Sequence, residues 1–401
     1  MKFKRKDLAL ALEAVAKFRD KRAYNNIYGV NKYGRRVVDG KRRLPGWFAA
    51  VDLVDGCPRF RSASRFGKAV AIVSGKGSLG LPYDFERLVD PETLRRVLDE
   101  AEGETIELDF DGGAFVVRSG SALAATWRIE TTVEGLDAFP DAEIGIVSRL
   151  TSVQTPSERF WRAVDAADGC VGDCDGRGSS PGVVVDLRQN VVFACASSVA
   201  TVCRNVGTSK ETAPSANVPP SFLGRARAVL GGVEELEIGL DEEFCVLTGE
   251  VGDALIQVAA PVFERTPELR SLVELRSPNP ETVATATARS ALATIGLADL
   301  VSDEMSRAVQ LTFEPSPNGG GTLIAAARSQ AGRCDAAAPV EFRGSAVARW
   351  FDARRLIDFL ASVDPDELVA FELCADAKRP LCVATGDRLL FLGASQIDYA
   401  I

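Results

Sequence analysis

Histidine is absent from all 401 residues, methionine occurs twice, and aromatic residues make up 7% of the chain. The missing imidazole removes Ser-His-Asp and Cys-His catalysis, the HExxH zinc motif and the commonest general base. No run of about 18 apolar residues is present to span a bilayer. The start, MKFKRKD, turns polar at once and lacks the apolar centre of a secretion signal, so a cytoplasmic location is the expectation. Nothing resembles a phosphate loop. The nine cysteines are an odd number lying mostly inside apolar, strand-like runs, which suits small buried hydrophobes. Cys170 and Cys174, in GCVGDCDG, are the one pair with a loose metal-ligand spacing. No second pair follows, whereas structural zinc usually needs four ligands. A thiol or metal enzyme centred on that pair is the reading against which others are weighed.

What is present is an ordinary globular composition, 46% hydrophobic and 26% charged with a net charge of −9, on a chain long enough for two to four domains. The stretch DPETLRRVLDEAEGETIELDFDGGAFVVRSGSALAATWRIE, residues 90–130, reads as one helix, a polar turn and three short strands. Two further stretches, 218–259 and 351–395, repeat that order. Each carries a glycine opening its last strand: Gly120, Gly252 and Gly386, spaced 132 positions (120 to 252) and 134 positions (252 to 386) apart. So steady a period argues for an α+β chain of three tandem domains. The boundaries fall at 1–146, 147–275 and 276–401, and each domain holds two helix-plus-strands half-units.

Along the chain, residues 2–5 read as an edge strand and 6–18 as a helix with Leu8, Leu12 and Val15 on one face. Lys17, Arg19, Lys21 and Arg22 follow as solvated charges at its end. Asn31 to Trp47 is a basic hairpin or loop, with Lys32, Arg35, Arg36, Lys41, Arg42 and Arg43 against the single acid Asp39. Residues 156–167 and 279–296 read as further helices, 172–182 and 207–220 as loops, and 316–322 as a hairpin tip. Five of the six helices carry arginine on the polar face: Arg95 and Arg96; Arg159 and Arg162; Arg225 and Arg227; Arg289; Arg354 and Arg355. Basic helices inside an acidic protein form an electrostatic footprint for a polyanion. The competing reading is that arginine is simply a good helix former.

These residues resemble the bacterial DNA sliding clamp, the beta subunit of the replicative polymerase. The resemblance runs from Met1-Lys2-Phe3 and the first helix through Val117-Arg118-Ser119-Gly120 and Phe139-Pro140. It continues to FDARRLIDFLASVDPDELVAFEL and to Pro380 before the last hairpin. It implies a crescent of three clamp domains that dimerises head to tail into a ring, with helices lining the hole. Such a ring slides on duplex DNA without reading sequence and tethers polymerase and other partners through a groove between domains 2 and 3. It has no catalytic residue and no cofactor, and it is opened by an ATP-driven clamp loader. The place implied is the cytoplasm, on the nucleoid.

Carried over residue by residue, the family's DNA-contacting arginines fall on Arg22 and Arg177. The aromatics that follow the latter are Gly178 and Ser179 here. A third falls on Glu92, with Arg95 close by. Together with the helix cations, the DNA-binding set is Arg22, Arg95, Arg96, Arg159, Arg177, Arg225, Arg227, Arg289 and Arg354. The groove tract falls on Cys195 to Val202, its flanking Pro and Arg on Pro261 and Arg265, and its C-terminal strand on Phe391 to Ile397; the partner groove implied is Ala196, Ser198, Thr201, Pro261, Arg265, Phe391 and Gly393. The subunit interface falls on Ala124 and Thr126, facing Leu292 and Ala293, a lighter contact that Trp127 could supplement. The alternative is a clamp-fold scaffold that binds proteins and never encircles DNA.

Overall fold

The structure is a computed structural model. It describes residues 1–19, 24–30, 36–43, 47–77, 79, 81, 85–119, 125–133, 151–171, 181–196, 198–207, 213–264, 267–304, 306–317, 319–330, 332–376 and 378–394; of 24–30 and 36–43 it describes the backbone.

The chain repeats one motif, strand–helix–three strands, six times. The first copy is β1 (Lys2–Lys4), α1 (Arg5–Phe18), a separate ribbon of β2 (Tyr24–Val30) and β3 (Arg36–Arg43), then β4 (Ala49–Val54), β5 (Cys57–Ser64) and β6 (Gly67–Val73). The second is β7 (Glu86–Val89), α2 (Pro91–Glu100), β8 (Thr105–Asp111), β9 (Ala114–Ser119) and β10 (Thr126–Glu130). The third is β11 (Thr151–Pro156), α3 (Ser157–Asp168), β12 (Val183–Asp186), β13 (Val191–Cys195) and β14 (Val199–Arg204). The fourth is β15 (Ser215–Val218), α4 (Pro220–Leu230), β16 (Glu235–Leu240), β17 (Phe244–Val251) and β18 (Ala254–Pro261). A short helix, α5 (Leu269–Val273), precedes the fifth: β19 (Thr282–Thr287), α6 (Ala288–Asp299), β20 (Ala308–Pro315), β21 (Gly321–Ser329) and β22 (Gly332–Gly344). The sixth is β23 (Val347–Asp352), α7 (Ala353–Ala361), β24 (Leu368–Leu373), β25 (Leu381–Ala384) and β26 (Arg388–Leu392).

Pairing follows one rule throughout. The leading strand of each copy joins the triplet of its neighbour, so that β1 pairs with β8 while β7 pairs with β4. The same exchange joins β11 to β16, β15 to β12, β19 to β24 and β23 to β20. Third strands then fuse the resulting sheets. β6 pairs with β18, and β14 pairs with β26. The result is a four-stranded, an eight-stranded and a twelve-stranded antiparallel sheet, with β2–β3 standing alone as a two-stranded one.

By compactness the chain divides into two units, 1–158 with 221–262, and 159–220 with 263–401. The first holds the four- and eight-stranded sheets and the ribbon. Its α1 buries Leu8, Leu12, Val15 and Phe18, with Phe18 edge-on to Phe222 at 5.9 Å. Elsewhere in the unit Phe85, Phe110 and Phe115 form an edge-to-face trio. The second unit holds the twelve-stranded sheet, on which α6 packs beside α7, with Phe313 5.4 Å from Phe371 beneath. Alternation along the strands puts every second position inside, as in β19, where Thr282, Ala284 and Ala286 are buried and Val283, Thr285 and Thr287 are not.

Two sequence assignments change and one short helix is added. Residues 279–296 are not one helix: Thr-Val-Ala-Thr-Ala-Thr pairs as β19, and α6 starts at Ala288, capped by the Thr287 hydroxyl accepting from Ser290 N–H. β-branched residues at every second position favour the extended chain there. The polar segment 207–220 contains β15, and α5 adds a helix that a five-residue apolar pattern is too short to announce. The basic stretch contains strand β3, paired with β2, while its Lys32 and Arg35 lie outside the described residues.

Candidate nucleic-acid and partner surfaces

The helices aim cations away from the core because their apolar stripes face it. α2 buries Leu94 and Leu98 and is capped by Asp90, whose carboxylate accepts from Glu92 N–H at 3.1 Å. Arg96 is exposed on its far side, and Arg95 lies 4.0 Å from Asp99. On α3, Phe160, Trp161 and Val164 are buried while Arg159 and Arg162 are exposed. α4 carries no acid. Its Arg227 is exposed, but Arg225 lies over the Phe66 ring at 3.9 Å and donates to the Lys17 carbonyl. Arg289 on α6 pairs with Asp366 at 3.0 Å, and Arg354 on α7 stands 3.9 Å from Asp358.

The charge is therefore uneven. α2 and α3 each hold three acids against two arginines, so the acids are not confined to strands and turns, whereas α4 holds two arginines and no acid of its own. Arg22 and Arg177 lie outside the described residues. Arg19, read in the sequence as a solvated charge, is instead buried. It bonds Asp90 at 2.9 Å and Glu92, and lies 4.8 Å from the Trp47 ring. Glu92, on which the resemblance would place an arginine, instead pairs with Arg19 and ties the end of α1 to α2.

Most of the groove residues lie in the second unit, around the β14–β26 seam. Thr201 pairs with Leu390, and Ala200 with Phe391. Because side chains alternate, the two pairs face opposite sides of the sheet. Ala200 and Phe391 join a buried cluster with Val184, Phe193, Cys195 and Leu389, covered by Leu269 and Leu272 of α5. Thr201 and Leu390 line a depression on the other side with Gly169, Cys170, Arg355 and Phe359. Its volume is about 20 Å³, room for a single water. Arg355 donates to the Gly169 carbonyl at its rim, and the Cys170 thiol sits 3.4 Å from the Thr201 hydroxyl. Burial pushes that thiol up, against the hydrogen bond and the Arg355 charge.

Of the other groove residues, Ser198 is exposed and Ala196 and Gly393 half-buried; Gly393 N–H donates to the Ser198 carbonyl at 2.8 Å. Pro261 closes β18 in the first unit and is exposed, and Arg265 lies outside the described residues. Phe391, named from the sequence, is buried in the cluster under α5, while Leu390 is the β26 side chain that lines the depression, together with Cys170 and Arg355, which the sequence did not single out.

Two third strands, β10 and β22, have no third strand paired with them among the described residues. β10 ends the four-stranded sheet, with Thr126 exposed and Trp127 half-buried. β22 pairs with β19 only over Glu341–Gly344, so its stretch from Gly332 to Val340 is bonded on the β21 side alone. On α6, Leu292 is half-buried and Ala293 exposed, and two leucines further on are more open to solvent: Leu297, 53% exposed, and Leu300, just past the helix, 79%. Ala124 lies outside the described residues.

Among the described residues no group of three His, Cys, Asp or Glu side chains is placed to hold a metal, and no helix is long and apolar enough to cross a membrane. Cys174 lies outside them.

No protein-family model and no curated protein matches the sequence. The fold is nonetheless that of the bacterial sliding clamps. Over 99% of its length the chain superposes on the DNA polymerase III beta subunit of Thermotoga maritima, covering 99% of that chain at 13% identity with a TM-score of 0.74. It superposes equally on the DNA polymerase sliding clamp of Bacillus subtilis (98% of that chain, 13% identity, TM-score 0.76). A Pseudomonas aeruginosa sliding clamp bound to griselimycin gives 99%, 15% and 0.75.

Proposed function

We propose that this chain is a divergent DNA polymerase processivity factor: a non-enzymatic clamp that closes as a head-to-tail homodimer around duplex DNA and slides along it. The observation that carries the reading is the full-length likeness in fold to sliding clamps. Three clamp domains, 1–146, 147–275 and 276–401, account for six copies of the motif as three exchanged pairs. The pairing rule supplies the closure. Third strands join neighbouring domains at β6–β18 and β14–β26, which leaves β10 and β22 as the third strands without such a partner. Pairing β10 of one chain with β22 of the next continues the series, with Leu297 and Leu300 beside the joint. Diffuse cations suit a ring that holds by topology, since phosphate contacts carry no sequence information. Arg96, Arg159 and Arg227 are the exposed helix cations for that lining, and Arg289 and Arg354 contribute less because acids accompany them.

Polymerase and clamp-loader peptides would enter at the Thr201–Leu390 depression, with Arg355 moving from Gly169. The cytoplasm, on the nucleoid, is the place of action that this reading implies. A second reading, a scaffold that never encircles DNA, is favoured by the acid excess on α2 and α3. Retention on circular against linear duplex at high salt separates the two. A topological ring stays on the circle and leaves free ends, whereas release from both at equal rates defeats the clamp reading.

A further inference from the structure

The β2–β3 ribbon belongs to none of the three large sheets. A two-stranded ribbon without further strands is marginal in water, so local pairing alone accounts poorly for it. Its composition is also out of keeping with a chain of net charge −9. β3, RVVDGKRR, carries four cations and one acid, and β2, YNNIYGV, carries no acid at all. The register spreads that charge along the ribbon. Arg36 stands opposite Val30 at one end, and Lys41, Arg42 and Arg43 stand opposite Asn26, Asn25 and Tyr24 at the other. Pairing slips between Ile27 and Tyr28, so Asp39, the only acid, falls at the bulge without a register partner. Seven paired positions span about 23 Å.

We propose that this ribbon is a basic arm that grips the phosphate backbone of duplex DNA, adding a sequence-independent contact to the helix lining. The choice of duplex rests on the clamp reading above. Duplex DNA offers a charge about every 1.7 Å of axis, so an arm of this length faces many phosphates at once. Asparagine and tyrosine on β2 are also ordinary phosphate partners. A two-stranded ribbon is also narrow enough for the major groove, about 12 Å wide. Cations on exposed strands serve another purpose elsewhere, which is to discourage edge-to-edge aggregation, and that role makes no demand on DNA.

The test is the salt dependence of binding to short linear duplex by the full chain and by a variant with Arg36→Gln, Lys41→Gln, Arg42→Gln and Arg43→Gln. Arg270→Gln, at an exposed arginine far along the chain, serves as control, and circular dichroism monitors folding. The quadruple variant is expected to lower the slope of log K against log salt by about 2–4 and to weaken binding at low salt about tenfold or more, with the control unchanged. An unchanged slope, a wild-type chain that ignores linear duplex, or a preference for polyglutamate over duplex of equal charge overturns the proposal. Loss of high-salt retention on circles with the slope effect intact defeats the ring and leaves the arm standing.

Discussion

Arg355 of α7 donates to the carbonyl of Gly169 at the end of α3, and together they roof the depression that holds Cys170, Thr201 and Leu390. The sheet beneath is pinned by the β14–β26 pairing, so only the roof is free to change. Arg355→Ala is therefore expected to raise the alkylation rate of Cys170 about tenfold at fixed pH, by making local opening easier. Cys245, fully buried in β17, should keep its wild-type rate. Peptide mass mapping after timed iodoacetamide treatment reads both sites, and equal rates in wild type and variant at Cys170 would refute the roof.

Gly252 sits in the β17–β18 turn at φ +60, and a Cβ there would overlap the carboxylate of Asp7. That carboxylate accepts from Asp253 N–H at 2.9 Å and ties α1 to the turn. Gly252→Ala combines an unfavourable left-handed backbone with loss of the tie. The expected cost is about 2–4 kcal/mol in urea unfolding. Asp7→Ala, which leaves room but removes the acceptor, is expected to cost less.

In the proposed closure through β10 and β22, Leu297 and Leu300 would lie against the neighbouring subunit. Leu297→Asp with Leu300→Asp is expected to weaken dimerisation at least about 100-fold, given about 1.5–3 kcal/mol for each buried leucine. Native mass spectrometry at micromolar concentration should show wild-type dimer and variant monomer. A dimer unaffected by both changes would move the joint elsewhere.

Burial raises the Cys203 thiol to about 12, and it raises the Cys382 thiol to about 12 as well. In the unfolded chain these thiols lose their protons near 9, so between pH 9 and 12 the native state binds more protons than the unfolded one. Stability is then whole below pH 9 and falls as pH rises, by about 1.4 kcal/mol per pH unit for each such thiol. Urea midpoints of wild type and Cys203→Ala, compared at pH 8 and 10.5, should converge with rising pH. Parallel lines would show that Cys203 is not protected.

Much of the motif was legible because two periods meet in it: a helical stripe such as Leu94 and Leu98, then alternation such as Ile106 and Leu108. Apart from β1, read at 2–5, the leading strands were not. Three to six residues carry little pattern, and each finds its partners in the neighbouring copy, so their pairing is settled by contacts distant in sequence. β19 passed for helix because its Ala and Thr are acceptable in either state until a sheet claims them. Arg19 looked solvated because Asp90 and Glu92, which enclose it, come some seventy positions later. At the candidate joint the sequence offered Leu292 and Ala293, whereas the open leucines are Leu297 and Leu300, since exposure there depends on where α6 stops. The tract from Cys195 to Val202 and the last strand do pair, as β14 with β26, but only the parity of β26 settles which side chain faces the depression.

The pairing of β14 with β26 has a bearing on synthesis. The ribosome releases β14 long before β26, so β12 to β14 must wait with one hydrogen-bonding edge bare while the rest of the twelve-stranded sheet is translated. During that interval the waiting edge is a docking place for any extended chain, including a second nascent copy, and a chaperone that shields it would govern the yield of folded protein.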